Sequence, residues 1–349
     1  MNTLLLHCRP GFEAEVCAEI SEHAARLEVP GYAKGKPNSA HAEFVCSEAD
    51  GAQRLMQGLR FNKLIFPRQW ARGSYLPLPE SDRISVLLQA LADYPVCGSL
   101  WLEVFDTNDG KELSNFCKKF EAPLRKALTA ACRLVDDPSK PRLLLTFKSG
   151  REVFLGLAEA NNQAPWPMGI PRLKFPREAP SRSTLKLEEA WHYFIPREQW
   201  DTRLSDEMTG VDLGAAPGGW TYQLVKRGML VTAIDNGPMA QSLMDTGLVQ
   251  HLMVDGFTWK PKQPVDWMVC DIVEKPARNA ALLETWIGEG LCREAVVNLK
   301  LPMKQRYAEV CRLLQRLEDA FAARKIKVSI ACKQLYHDRE EVTCHLRRL

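Results

Sequence analysis

The sequence predicts an α/β chain whose carboxyl-terminal half is a Rossmann-like, doubly wound and mostly parallel sheet, preceded by smaller α+β units. Three observations lead there. From Ser181 onward, short apolar runs alternate with helical patterns, the mark of buried parallel strands joined by crossovers. A proline-rich stretch separates that half from the residues before it, and the run at 210–213 passes directly into a glycine-rich turn and a helix. At 349 residues the chain also exceeds one small domain, so two or three compact units are expected.

Taken in order, Thr3 to His7 reads as a short apolar strand and Gly11 to about Leu27 as a helix; a strand at His41 to Cys46 and a helix at Ala49 to Leu59 follow. These form one small α+β unit over 1–62. Leu64 to Ala71 is an aromatic-rich strand candidate, and Asp82 to Ala92 reads as a helix with Ser81 as its N-cap. Leu100 to Phe105 reads as a strand. Ser114 to Leu134 carries Phe116, Phe120, Leu124, Leu128 and Cys132 at helical spacing beside Lys118, Lys119, Arg125 and Lys126, giving one apolar and one basic face. Strands at Arg142 to Phe147 and Glu152 to Leu157 close a second unit, 63–160.

Residues 161–181 hold Pro165, Pro167, Pro171, Pro176 and Pro180, too many for regular helix or sheet, and read as a linker. The last unit, 182–349, contains strand candidates at Gly210 to Leu213, Leu230 to Ile234, Val249 to Val254, Trp267 to Cys270, Glu294 to Lys300 and Ile326 to Cys332.

Composition excludes several classes. No stretch of about 18 apolar residues exists, so a membrane span is not expected. The amino terminus lacks a basic segment before its short apolar run, which predicts a cytoplasmic protein. Eleven scattered cysteines without CxxC spacing read as reduced thiols, and the seven histidines form no ligand pattern, so no metal is expected. The net charge of +3 is uninformative, but Lys111 to Arg151 holds ten Lys/Arg against four Asp/Glu. A basic stretch of that kind attracts phosphate backbones, although a solvated helix face has the same composition. No oligomerisation helix is evident, which predicts a monomer.

The segment VDLGAAPGGW, 211–220, is an apolar strand bearing Asp212, then a turn with Gly214, Ala216, Pro217, Gly218 and Gly219, then a helix from about Trp220. Glycines let the backbone turn sharply and approach a ligand, at the strand end where open α/β sheets bind one. The dinucleotide pattern GxGxxG is absent, which argues against a dehydrogenase. An acidic strand end followed by a PGG turn is instead the pattern of S-adenosyl-L-methionine-dependent methyltransferases. Asp235 closes the next strand, where a carboxylate can accept both ribose hydroxyls. Asp255, in MVDGFTW, is expected to end the third strand and to reach the adenine amino group. The fourth strand ends at Asp271, next to the expected methyl donor, and Cys270 before it reads as core.

The fifth strand, AVVNLKLP, ends in Lys300. A lysine closing an apolar strand is costly unless it has a role. Methylating an alcohol requires a proton acceptor, and a positioned lysine can serve. Asp271 is expected beside Lys300, with Lys186 of SRSTLKLEEAW as a second lysine; a surface position on an amphipathic helix is the plainer reading of Lys186.

SRSTLKLEEAW, VDLGAAPGGW, CDIVEK, NLKLP and EEVTCH occur in the order found in FtsJ-like ribose 2′-O-methyltransferases, which the region from Ser181 to the carboxyl terminus resembles. The resemblance implies that Lys186, Asp271, Lys300 and Glu341 form a Lys-Asp-Lys-Glu catalytic tetrad with Lys300 as proton acceptor. It also implies that Ser183, Ala216 to Gly219, Asp235, Asp255 and Asp271 contact the methyl donor. Two departures stand out: HDREEVTCH lacks the serine and tyrosine of the family's last motif, which leaves Glu340 as an alternative to Glu341, and Pro276 follows Asp271 late. The whole-chain order, a ferredoxin-like α+β unit and a THUMP-like unit before this class I methyltransferase unit, resembles bacterial large-subunit rRNA cytidine 2′-O-methyltransferases, whose substrate is 23S ribosomal RNA. The rival readings are a base- or small-molecule methyltransferase of the same fold and an RNA-binding protein with a degenerate methyltransferase unit.

Overall fold

The computed structural model describes residues 1–349. The chain forms two compact units, 1–171 and 172–349, and no helix is long and apolar enough to cross a membrane.

The first unit runs β1 (Thr3–His7), α1 (Glu13–Arg26), β2 (Gly31–Gly35), β3 (His41–Cys46), α2 (Gly51–Gly58), β4 (Gln69–Pro77), α3 (Arg83–Ala90), β5 (Ser99–Val104), α4 (Asn108–Ala130), β6 (Arg142–Ser149) and β7 (Glu152–Ala158). Its seven strands make one sheet in the order β2-β3-β1-β4-β7-β6-β5. Strand β4 pairs with β1 on one side and β7 on the other, so the segments before and after residue 63 share a continuous hydrogen-bonded ladder. Only β5 and β6 pair in parallel. Leu87, Leu124 and Leu128 of the helices pack on Leu100, Leu143, Leu145 and Phe147 of the sheet.

Several boundaries differ from expectation for local reasons. The strand expected from Leu64 starts at Gln69, because Pro67 offers no N–H and the amides of Ile65 and Phe66 donate to the buried Glu19 carboxylate at 2.6 and 2.9 Å. Asp82, at φ 55°, takes the N-cap position of α3 in place of Ser81. Helix α4 begins six residues before Ser114, because the Thr107 hydroxyl accepts the Gly110 amide at 3.1 Å and caps it there. Strand β2 was not expected: GYAKG is an exposed edge with no apolar alternation. Residues 161–181 hold only a 3₁₀ turn at Pro167–Gly169, and buried Asn162 ties this chain to Met56, Leu59 and Phe61.

The second unit runs α5 (Thr184–Phe194), α6 (Trp200–Arg203), β8 (Thr209–Leu213), α7 (Gly219–Lys226), β9 (Leu230–Ile234), α8 (Gln241–Met244), β10 (Val249–Leu252), β11 (Val265–Cys270), α9 (Pro276–Gly288), β12 (Cys292–Lys300), α10 (Arg306–Ala323), β13 (Val328–Lys333) and β14 (Glu341–Arg348). The sheet order is β10-β9-β8-β11-β12-β14-β13. The pairs among β10, β9, β8, β11 and β12 are parallel; β14 runs antiparallel to both its neighbours. Trp191, Trp220 and Trp267 pack with Leu187 and Leu224 between the helices and the sheet. The strand order reverses between β8 and β11, and such a switch point opens a crevice at the carboxyl ends of the strands.

Strand β14 was not expected as an element. Its insertion beside β12 places Glu341 directly across from Lys300 in the ladder, and Thr343 across from Asn298. Because side chains alternate faces along a strand, Asn298 and Lys300 share one face of β12, and Glu341 and Thr343 share one face of β14.

Candidate active site

Beyond β8 the backbone turns at Gly214, φ +76°, and Gly218, φ +115°, conformations that favour glycine. A Cβ at Gly218 would lie 2.2 Å from Leu243 Cδ1, and one at Gly219 would lie 2.1 Å from Ser183 Oγ. The start of α5 is therefore packed on the start of α7, and the Trp220 indole N–H donates to the Ser183 carbonyl at 3.0 Å. Trp220 itself is core. Asp235, just past β9, accepts the Ala216 amide on one carboxylate oxygen (3.0 Å) and the Gly237 amide on the other (2.7 Å). Each oxygen keeps a lone pair, and the group stays partly exposed. The result is a backbone cradle, its glycines packed closely on Leu243 and Ser183, beside a fixed carboxylate.

Asp212 does not present a carboxylate to this cradle. It is 1% exposed and lies beneath the turn, accepting the Thr221 hydroxyl at 2.6 Å, and burial pushes its carboxyl up to about 7. Asp255 does not end a strand: β10 stops at Leu252, and the exposed Asp255 accepts the Phe257 amide in the following loop at 2.9 Å. Its position after Leu252 reflects the exposed Met253 and Val254 between them, which have no sheet partner to extend the ladder.

Lys186, expected as a tetrad member with a helix-surface position as its plainer reading, lies at the centre of an ionic cluster. Lys186 Nζ, from α5, sits 3.0 and 3.1 Å from the two carboxylate oxygens of Asp271, which follows β11, and 2.6 Å from Glu341 Oε1. These three side chains are 10–18% exposed. Burial disfavours the Lys186 ammonium, but the carboxylates of Asp271 and Glu341 outweigh it and raise its pKa above the ordinary lysine value. For Asp271, burial raises the pKa and the neighbouring Glu341 adds to it, against the lowering effect of Lys186. Glu341 is thus the acid that joins the cluster; Glu340 is exposed and pairs with Arg306 at 2.8 Å.

Lys300 lacks one contact expected of it. Asp271 was expected to hold it, but both carboxylates bind Lys186. Lys300 ends β12 half-buried on the face that carries Glu341, with no ion pair of its own. One end of the sheet therefore holds a firmly charged lysine and a second amine that no carboxylate engages.

Sequence reasoning missed the residues that fix this arrangement. Asn298 donates to Asp271 Oδ1 at 2.7 Å and accepts the Thr343 hydroxyl at 2.8 Å. Glu189, one turn along α5 from Lys186, accepts the amides of Tyr336 and His337 at 2.7 and 2.9 Å and anchors the segment before β14. Asn279 donates to the carbonyls of both Ile272 and Asn298 and joins the chain after β11 to β12. The available signal was the polar Asn298 inside AVVNLK, since a buried amide requires partners. A cavity of about 270 Å³ at the opposite end of the sheet, lined by Arg203, Glu294 and Arg347 among others, shares no residue with the cluster.

Residues 179–325 match the FtsJ-like methyltransferase family, residues 1–71 the RlmM ferredoxin-like domain, and residues 82–159 the amino-terminal region of ribosomal RNA large subunit methyltransferase M. The chain is 83% identical over 349 residues to the ribosomal RNA large subunit methyltransferase M of Pseudomonas syringae pv. syringae, covering all of this chain and 98% of the relative. It is 82% identical to that of Pseudomonas putida KT2440, covering all of this chain and 99% of the relative. Among solved structures, Trm5b of Pyrococcus abyssi aligns over 99% of both chains at 14% identity and a TM-score of 0.35. Aeropyrum pernix fibrillarin with bound S-adenosyl-L-methionine aligns over 58% of this chain and 82% of that one, at 11% identity and a TM-score of 0.33.

Proposed function

The chain belongs to the ribosomal RNA large subunit methyltransferase M family, and on that premise we propose that it methylates the 2′-hydroxyl of a cytidine ribose in 23S ribosomal RNA, with Lys300 as the general base. The methyl donor is S-adenosyl-L-methionine. The residues present fit it: the glycine turn follows β8 at the carboxyl end of the strand, where open α/β sheets bind ligands, and Asp235 beside it offers its remaining lone pairs to the ribose hydroxyls. Bound there, the donor supplies an electrophilic methyl group.

One observation carries the choice of a hydroxyl acceptor. Lys300 stands at the end of a buried strand without a counter-ion, while the neighbouring Lys186 engages both Asp271 and Glu341. An amine with no ion pair to break can take the ribose proton as the oxygen attacks. Lys186 keeps the two acids in place and puts fixed positive charge next to the oxygen that loses its proton. The exposed Lys118, Lys119 and Lys126 on α4 supply phosphate contacts for the RNA, which position the ribose without reading its sequence.

The test gives the purified protein unmodified 23S rRNA and methyl-labelled donor, then digests with alkali. Ribose 2′-O-methylation blocks cleavage at its own linkage, so label should remain in alkali-resistant dinucleotides. Label in mononucleotides would place the methyl group on a base and refute the ribose assignment. Lys300→Ala should lower kcat by about 10²–10⁴-fold, the range of a lost general base, with the Kd for the methyl donor unchanged.

A further inference from the structure

Two loops at the carboxyl end of the second sheet share one layout. After Asp271, the loop that closes β11 exposes Val273 (75%) and Lys275 before α9 begins at Pro276. After Lys300, the loop that closes β12 exposes Met303 (93%) and Lys304 before α10 begins at Arg306. Strands β11 and β12 are parallel neighbours, with Cys270 level with Val297, so the loops leave the sheet side by side. Both loops are anchored. The Ile272 carbonyl accepts the Asn279 side-chain amide at 3.0 Å, and the Glu274 carboxylate accepts the Lys275 backbone N–H and Arg278, each at 2.7 Å. The Leu301 backbone N–H donates to the Glu340 carbonyl at 2.7 Å, and the Pro302 carbonyl accepts Arg306 Nε at 3.2 Å.

Single exposed apolar residues are ordinary, but these are not scattered. Met253 and Val254 follow β10, Val273 follows β11 and Met303 follows β12, all at the strand ends where such sheets bind ligands. The first two lie after the strand that neighbours β9 and Asp235; Val273 and Met303 lie after the strands that carry Asp271 and Lys300. What meets this second pair follows from the reaction. A nucleobase is bonded to the ribose carbon next to the one that bears the 2′-hydroxyl. A hydroxyl within about 3 Å of Lys300 Nζ therefore brings its own base within reach of the adjoining loops. Base faces stack on apolar side chains, a thioether among them, and the exposed Lys275 and Lys304 suit the flanking phosphates. A protein partner fits less well, because two side chains cover a small part of the about 800 Å² per partner that a stable protein contact buries.

We infer that Val273 and Met303 form an apolar seat for the base of the acceptor nucleotide, so that the enzyme takes a nucleotide whose base has left its stack. In an A-form duplex both faces of a base are covered by its neighbours, and the 2′-hydroxyls line a wide, shallow groove. A base held in that stack cannot also lie on Val273 and Met303. Turning it out costs stacking, which contact with the two side chains offsets. Contact with a base face does not distinguish one base from another, since every base has such a face. Val273 and Met303 thus select an unstacked nucleotide and leave base identity to other contacts.

The seat rests on the reading of Lys300 as the site of the acceptor hydroxyl, so contact and turnover are measured apart. In the full-length protein labelled with ¹³C-methyl methionine, the Met303 resonance is assigned by its loss in Met303→Leu. S-adenosyl-L-homocysteine alone should leave that resonance unmoved. An unmodified 23S rRNA fragment spanning the nucleotide that the enzyme methylates should shift it upfield, because a base face shields a methyl group stacked on it. The same fragment with a ribose spacer that lacks the base at that nucleotide should not. No shift with the intact fragment, an equal shift with the spacer, or an upfield shift with S-adenosyl-L-homocysteine alone overturns the inference, whichever atom is methylated.

The second arm is kinetic. Met303→Ser and Val273→Ser should each lower kcat/KM for the intact fragment about tenfold with the donor Kd of the parent, whereas Met303→Leu, which stays apolar, should remain within about twofold. On the spacer RNA, which keeps its 2′-hydroxyl, the parent and Met303→Ser should have equal kcat/KM, because the side chain has no base to act on. A Met303→Ser deficit of the same size on the spacer RNA, or no deficit on the intact fragment, overturns the role. Label found on a base instead of the ribose would count against the 2′-O reading and leave the methyl-shift result standing.

Discussion

Lys186 and Lys300 are the same residue type at the same end of one sheet, and their surroundings give them different work. Lys186 touches two carboxylates and holds its proton; Lys300 touches none. A base must be able to lose its charge, so Lys300→Arg should be as inactive as Lys300→Ala, because a guanidinium keeps the charge and the reach but cannot accept a proton. Turnover by Lys300→Arg within tenfold of the parent would remove Lys300 from that role. The same comparison separates the two adjacent glutamates. Glu341→Gln should cost roughly tenfold or more in kcat, whereas Glu340→Gln should stay within about twofold, since only Glu341 contacts Lys186. Asp212 makes a prediction about stability. Its folded carboxyl titrates at about 7, above the unfolded value, because the group is buried. Its contribution is therefore complete below about pH 4 and is lost as pH rises through about 7. In urea unfolding followed by tryptophan fluorescence, the parent should lose stability relative to Asp212→Asn across that window, by up to about 1.4 kcal/mol per pH unit. A constant difference between the two from pH 4 to 8 would show that Asp212 is not held neutral.

At the scale of elements, the parallel strands were legible because burial on both faces makes them continuous apolar runs, as in β8, β11 and β12. The glycine turn was legible because its conformation restricts residue choice at 214 and 218. Strand β14 was not. EVTCHLRR mixes charged, polar and apolar residues, and its buried polar positions, Glu341, Thr343 and His345, are satisfied by partners distant in sequence. Without β14 in view, the tetrad could be named from a motif but its pairing could not be derived. That is why Asp271 was expected beside Lys300, whereas it contacts Lys186, and why Asn298 and Thr343 went unnoticed. The turn itself yields a prediction. Gly218→Ala adds a methyl group at φ +115° and 2.2 Å from Leu243, so the cradle must shift. Isothermal titration should show the donor Kd weakened about tenfold or more, with the far-ultraviolet circular dichroism of the parent. Unchanged donor binding would mean that the turn does not form the cradle.

At the scale of the whole molecule, a net charge of +3 over 349 residues conceals where the charge lies. Helix α4 turns Cys117, Leu124 and Leu128 into the core of the first unit and leaves Lys111, Lys118, Lys119, Arg125 and Lys126 exposed. Arg125 is already paired with Glu121, at 2.8 Å, which leaves the lysines as the better phosphate ligands. The active-site cluster belongs to the second unit, so removing charge from α4 should act on RNA capture and spare the chemistry. Replacing Lys118, Lys119 and Lys126 with glutamine should raise KM for rRNA by about tenfold, with kcat at saturating RNA and donor Kd unchanged. Binding should also become less sensitive to salt. Each lost phosphate contact releases fewer counterions, and the slope of log K against log salt should shrink by about 0.7–0.9 per contact. The slope distinguishes the two readings of this basic face. A triple variant with weaker binding but the parent slope would have lost structure rather than phosphate contacts, and one with the parent affinity and slope would mark α4 as an ordinary solvated helix.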